Sequence, residues 1–357
     1  MTQDVARSPD LAGAAVHPAA DYGFFGPDSV AWRVWRYPTS LLLGFMRAVV
    51  IEELDPYLVA SVADSGQVRQ RTPLRYDRTM QYFATVIFGD AESVLKSADV
   101  LMKIHARAVG PEPVTGNRFD ANDPDSQLWI HLTAWHSILY VYEVFGPGRL
   151  SAADEARYWR ECAVAAHFQT IDPTNVPTSR EGVRAYFESY RPKLVGSEVA
   201  QDMMDYLLDL TREILPPAVP TIVRRVVNAI VRRGVIATMP RWMRRVGATP
   251  QSRAVDLICT PVIRLAMRSL AGRRATELTT LNALSPRTTP VLAPVLCDVP
   301  ATNPVVYTPA EARVRFGMPV TPREQYARLV QQRAAGTGDR PYAHHHHDAL
   351  LEFTESA

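Results

Sequence analysis

The stretch Asp123-Pro124-Asp125-Ser126-Gln127-Leu128-Trp129-Ile130-His131-Leu132-Thr133-Ala134-Trp135-His136-Ser137-Ile138-Leu139-Tyr140-Val141-Tyr142-Glu143-Val144-Phe145-Gly146 decides the fold. Leu128, His131, Trp135, Ile138 and Tyr142 recur at alternating steps of three and four, the repeat of one helix face. Both flanks of that stripe are apolar as well, which predicts a central helix. Pro124 stands where a first helical residue needs no N–H, and Gly146 stands where a helix stops.

Outward from this segment the periodicity stays helical from about residue 38 to 280. Helices are expected at 39–53, 56–64, 73–88, 91–109, 151–169, 179–190, 196–214, 219–236, 239–246 and 251–271, and no segment alternates strongly enough to be a strand. The expected fold is therefore all-α, a single globular multi-helix domain with globin-like packing. Its expected bounds are 25–285, after a flexible N-terminal arm over 1–24. From 286 to 357 the chain becomes a Pro-rich extension, because Pro286, Pro290, Pro294, Pro300, Pro304 and Pro309 follow too closely for long helices. Two short helices are expected to begin at Thr308-Pro309 and Thr321-Pro322, with Glu324 completing a capping box at the second.

Composition narrows the function. A net charge of +2 over 357 residues gives no general attraction to phosphates, so nucleic acid is not an expected partner. Cys162, Cys259 and Cys297 are too far apart for a thiolate metal site or a disulfide framework. No signal peptide pattern precedes the domain and the apolar run from Leu41 to Ile51 is broken by Arg47, so a cytoplasmic location is expected. G-x-S-x-G, G-x-G-x-x-G and Walker-type loops are missing.

Histidine is the informative residue type. Four of nine, His344 to His347, form a run in a Gly- and Ala-containing tail and read as a surface tract. On the 91–109 segment, Val94, Ala98, Leu101 and His105 share one stripe opposite Glu92, Lys96, Asp99 and Lys103, so His105 is expected to point inward. His131 lies on the central stripe. Arg75, Thr79, Tyr82 and Val86 align on a third helix, directing a guanidinium and a hydroxyl toward its apolar face. A lone inward histidine is more often a core residue bonded to a carbonyl or carboxylate than a ligand. Two such histidines with an inward arginine also describe a haem pocket, and without C-x-x-C-H any haem would be held non-covalently.

The order Arg75-Tyr76-Asp77-Arg78-Thr79, Ile87-Phe88-Gly89-Asp90, Ile104-His105-Ala106-Arg107, Asp123-Pro124 and Trp129-Ile130-His131 resembles the oxygenase family of the latex clearing proteins (rubber oxygenases) and the MpaB-type oxygenase. The resemblance covers roughly residues 35 to 275. It implies a b-type haem and dioxygen acting on a hydrophobic, often isoprenoid, substrate. Carried over, Arg75 and Thr79 are site residues and His105 is the proximal iron ligand. His131, in the Trp-x-His element, becomes a second haem-pocket histidine, either a trans axial ligand or a distal acid/base.

The sequence also departs from the rubber oxygenases. Where they carry a lysine able to reach iron, this chain has Arg78, whose protonated guanidinium cannot ligate. Glu52 and Glu53 lie upstream, but neither aligns securely with the family's carboxylate base. The resemblance and the absent export pattern together favour a diffusible hydrophobic molecule over an extracellular polymer. The other functional class left open is a non-catalytic helical protein that binds haem or a lipid for sensing, storage or partner recruitment. The 219–236 helix sets Ile222, Val223, Val226 and Val227 against Arg224, Arg225, Arg232 and Arg233. Such a helix either lies peripherally on an anionic membrane or, more commonly, faces the core with a solvated charged side.

Overall fold

The computed structural model describes residues 16–64, 72–213, 215 and 219–336. The chain is all-α, and its only strands among the described residues are two short ones. The order begins with α1 (Val30–Trp35), a π-helical turn (Ser40–Gly44) running straight into α2 (Phe45–Glu52), α3 (Pro56–Asp64), α4 (Thr72–Phe88) and α5 (Ala91–His105). A small antiparallel hairpin follows, β1 (Val109–Pro111) with β2 (Arg118–Asp120), and then the central α6 (Pro124–Phe145). Next come α7 (Ala152–Ala165), α8 (Arg180–Tyr190), α9 (Glu198–Leu207), α10 (Leu210–Glu213) and α11 (Thr221–Thr238). The chain continues through α12 (Arg241–Val246), α13 (Arg253–Leu270), α14 (Arg274–Leu284), α15 (Thr289–Leu296), α16 (Pro309–Arg315) and α17 (Pro322–Ala334).

Local chemistry sets the helix starts. Asp90, Asp123 and Ser151 each accept a hydrogen bond from a first-turn N–H of the helix that follows. Thr308 with Glu311, and Thr321 with Glu324, form complete capping boxes.

α6 is buried on all sides, as its sequence demands. Leu132, Trp135, Ile138 and Tyr142 join the apolar cluster shared with α1, α4, α5 and α7. Trp129, Val141 and Phe145 join the one shared with α2, α9, α11 and α13. The π-helical turn leading into α2 crosses α6 so closely at Gly44 that a Cβ there would stand 2.9 Å from the Ile138 side chain. Arg47 pins this crossing: its guanidinium donates to Ser137 Oγ at 2.6 Å and to the Thr238 carbonyl at 3.3 Å, with the Tyr140 ring beneath it. A buried arginine is thus satisfied here by neutral acceptors and a π-face.

Two sequence expectations change here. The helix over 91–109 ends at His105, because Val109 and Gly110 pair with Asp120 and Phe119 instead of continuing the helix. Residues 16–24, expected within a loose arm, are packed: Asp21 Oδ1 accepts from Gly23 and Ala91 N–H groups, and Phe24 enters the core. Charge and Pro/Gly content masked these anchors. The Pro-rich segment lies on the core, with Tyr22 N–H donating to Val305, Tyr307 N–H donating to Gly23, and Leu292, Val295 and Leu296 buried. Residues 1–15 and the His344–His347 run lie outside the described residues. Among the described residues no helix is long and apolar enough to cross a membrane.

Candidate functional site

Four elements converge on a buried polar cluster. α2 ends in Glu52 and Glu53, α4 brings Arg75, α5 ends in His105, and the first turns of α6 bring Gln127. His105 Nδ1 lies 2.9 Å from Gln127 Nε2, which also donates to the Ala121 carbonyl at 2.7 Å. That carbonyl fixes the amide nitrogen as a donor, so Nδ1 accepts and the ring proton sits on Nε2. Burial lowers the His105 pKa from 6.5 to about 4, with Arg75 lowering it further and Asp120 and the Ala121 carbonyl acting against this. The imidazole is neutral at pH 7, despite its place at a helix C-terminus, where the dipole favours a cation.

Glu53 is 6% exposed. Burial raises its carboxyl to about 8, although the nearby Arg75 guanidinium pulls it down. It caps the C-terminal end of α2, where backbone carbonyls also disfavour a negative charge. Its Oε2 has no hydrogen-bond partner. Glu52 is pushed well above the usual carboxylate range, first by burial and then by Glu53. Arg75 is lowered by the same burial, with Glu53 opposing it.

Not all the expected site residues meet. His131 is 2% exposed, and its Nε2 donates to the Cys162 carbonyl at 2.9 Å, with Cys162 Sγ at 3.3 Å. Burial lowers its pKa to about 4, with the Cys162 carbonyl and the nearby Gln169 side chain acting against this. Thr79 is exposed and its hydroxyl donates to the Arg75 carbonyl at 2.8 Å, one turn back. This corrects the expectation that its hydroxyl faces the apolar interior: a threonine inside a helix can satisfy its hydroxyl on its own backbone.

Gln127 and Gln169 line one closed crevice, too tight to admit a water molecule, together with Leu101, Met102 and Asn122. Both histidines therefore approach the same crevice through a glutamine. Gln127 Oε1, Gln169 Oε1 and Asn122 Oδ1 are buried without partners. Nε2 is free for a metal only once the ring proton moves to Nδ1, where the Ala121 carbonyl, already beside the ring, can accept it if the Gln127 amide swings away. The donor chemistry thus fits an iron held by one imidazole. The crevice, as closed here, is narrower than a porphyrin, so a macrocycle needs its walls to part.

Sequence reasoning missed Gln127 and left Glu53 unassigned. A signal existed: neither Glu52 nor Glu53 has a basic residue three or four positions away, unlike the paired acids Glu92 and Asp99.

An all-helical chain with this buried acid, arginine and imidazole now meets its relatives. The family model described as ER-bound oxygenase mpaB/B'/rubber oxygenase, catalytic domain, matches residues 32–271. The chain belongs to that oxygenase family. No curated protein and no solved structure matches it.

Proposed function

We propose that this chain is a haem b-dependent oxygenase that acts with dioxygen on a small hydrophobic, isoprenoid or lipid-like molecule, with His105 as the iron ligand. The observation that carries this reading is the cluster of Glu53, Arg75 and His105, gathered from three helices within the family's matched span. Haem, when bound, supplies the site that binds and activates dioxygen.

The protein's own residues do the rest. Burial keeps His105 neutral and hence able to donate a lone pair, and Gln127 orients its ring. Arg75 offers a fixed positive charge to a cofactor carboxylate or to negative charge developing on the substrate. Glu53, protonated at neutral pH, holds a proton that it can give and take back beside Arg75. Ala98, Leu101 and Met102 line the crevice with apolar surface that excludes water. His131 is assigned no iron in this reading, since its Nε2 is committed to the Cys162 carbonyl.

Expression with ample haem supply, followed by absorption spectroscopy and iron analysis, tests the cofactor. A Soret band with one iron per chain is expected, and a colourless protein that takes up no haem overturns it. Dioxygen consumption with apolar alkenes separates the oxygenase from a haem- or lipid-binding protein without turnover.

A further inference from the structure

The two helices on the far side of α6 carry large apolar side chains that cover nothing. On α13, Leu257 is 75% exposed, Ile258 67% and Leu265 71%, and on α11 Ile222 is 68% exposed. Val226 and Val262 extend the same outward faces. The sequence alone favours a core-facing role for α11. The structure gives α11 only half such a role: its C-terminal half, Val231, Val235 and Ile236, is buried while its first two turns stand in solvent.

The charge around this face is mostly of one sign, with Asp205 of α9 paired to Arg232 at 2.7 Å. Residues 219–274 hold twelve arginines and a single acid, Asp256, in a chain whose basic and acidic residues otherwise nearly balance at 39 and 37. Asp256 is already paired with Arg244 at 2.8 Å. Arg225, Arg233, Arg241, Arg245 and Arg253 are all exposed at its rim. The rest of the chain is accordingly net acidic, so the asymmetry is regional.

A cleft of about 290 Å³ opens at the edge of this face, between the second half of α11 and the start of α13. Arg232, Arg233, Gln251 and Ser252 line it, and so does Thr249, which is 3% exposed with a hydroxyl that has no partner. Ser252 caps α13, whose free first-turn N–H groups favour an anion. Arg233 lies seven residues beyond Val226 on one stripe of α11, as Val255 lies seven before Val262 on α13, so cleft and apolar face adjoin.

We propose that the α11–α13 face docks on an anionic phospholipid surface, its apolar side chains entering the acyl boundary and the cleft receiving a lipid phosphate. Charge decides between this partner and a second copy of the chain. A self-complementary interface would set one arginine rim against another. An anionic leaflet neutralises the rim while burying the apolar residues.

The test is co-sedimentation of the full chain with vesicles of phosphatidylcholine, with and without about 30% phosphatidylserine. Binding is expected with the anionic vesicles and not with phosphatidylcholine alone, weakening as salt rises. The double variant Leu257→Asp/Leu265→Asp should lower the vesicle affinity about tenfold or more with an unchanged melting curve, both positions being exposed. Arg233→Gln/Arg253→Gln should weaken binding to anionic vesicles by a smaller factor. Equal binding to both vesicle types, no binding to either, or unaltered binding by both variants overturns the proposal. So does a dimer by light scattering that Leu257→Asp/Leu265→Asp dissociates, which would assign the face to self-association.

Discussion

His131 and His105 lie on adjacent elements, share one crevice through two glutamines and have imidazoles held neutral by burial to about the same pKa, yet their surroundings differ in kind. Around His131 the account nearly closes: Nε2 is spent on the Cys162 carbonyl and the ring packs near Trp135, tying α6 to α7, with Gln169 Oε1 alone unpartnered beside it. Around His105 it stays open, with Gln127 Oε1 and Glu53 Oε2 buried and unpartnered and an arginine beside a protonated carboxyl. Native proteins leave few buried polar atoms unsatisfied, because each costs about 1–3 kcal/mol. Where the cost is borne in a cluster, function is the better explanation.

The comparison breaks most sharply if the two histidines are removed in turn. His105→Ala is expected to abolish haem retention, read as loss of the Soret band and of iron, while the melting temperature of the haem-free protein shifts little. His131→Ala should do the reverse: haem stays, and stability falls by about 2–4 kcal/mol, from the cavity and the lost hydrogen bond to the Cys162 carbonyl. Haem lost from both variants alike, or from His131→Ala alone, would dissolve the distinction.

Acid sharpens it next. An unfolded chain protonates His131 near 6.5, whereas the folded one resists until about 4. Within that window the unfolded state binds more protons, so stability is present above pH 6.5 and declines as pH falls toward 4. His131→Gln should flatten this slope in denaturant titrations by a few kcal/mol across the window. An unchanged slope would mean that His131 does not resist protonation.

Glu53 carries the opposite sign. Folded, it keeps its proton to about 8, while an unfolded glutamate loses it near 4.5. Stability therefore falls as pH rises between those values, and Glu53→Gln removes the loss. The variant is expected to be about 2 kcal/mol more stable than the parent at pH 8 and yet slower in dioxygen consumption. A variant both less stable and equally active would make Glu53 a packing residue.

What the sequence made legible follows the physics of each part. Helix faces of period 3.6 are written in consecutive residues, so α6 and the inward placement of His131 could be read directly. The end of α5 could not, because Val109 and Gly110 leave the helix to pair with Asp120 and Phe119, eleven and nine positions on. Neither Phe24 nor Leu292 announces its burial, since each enters the core through contacts with distant segments. The site was half visible for the same reason. His105 sits on a local stripe, but its partner Gln127 comes from the next helix, and Glu53 meets Arg75 across 22 positions of chain. Family order supplied Arg75 and Thr79 together, and only the fold separated them.

That separation yields the smallest effect. Arg75 is buried beside Glu53, whereas Thr79, one turn along α4, faces solvent with its hydroxyl on the Arg75 carbonyl. Removing that back-bond frees a carbonyl that already has a helical donor, and alanine is the better helix former by up to about 0.7 kcal/mol. Thr79→Ala should therefore leave stability within about 0.5 kcal/mol of the parent, on the favourable side if anything, and leave the Soret band in place. Arg75→Ala made alongside it should shift that band or weaken haem retention, because it strips the charge from beside both Glu53 and His105. If Thr79→Ala instead releases haem while the melting curve holds, the hydroxyl turns inward when the crevice opens, and α4 rotates about its axis as the site fills.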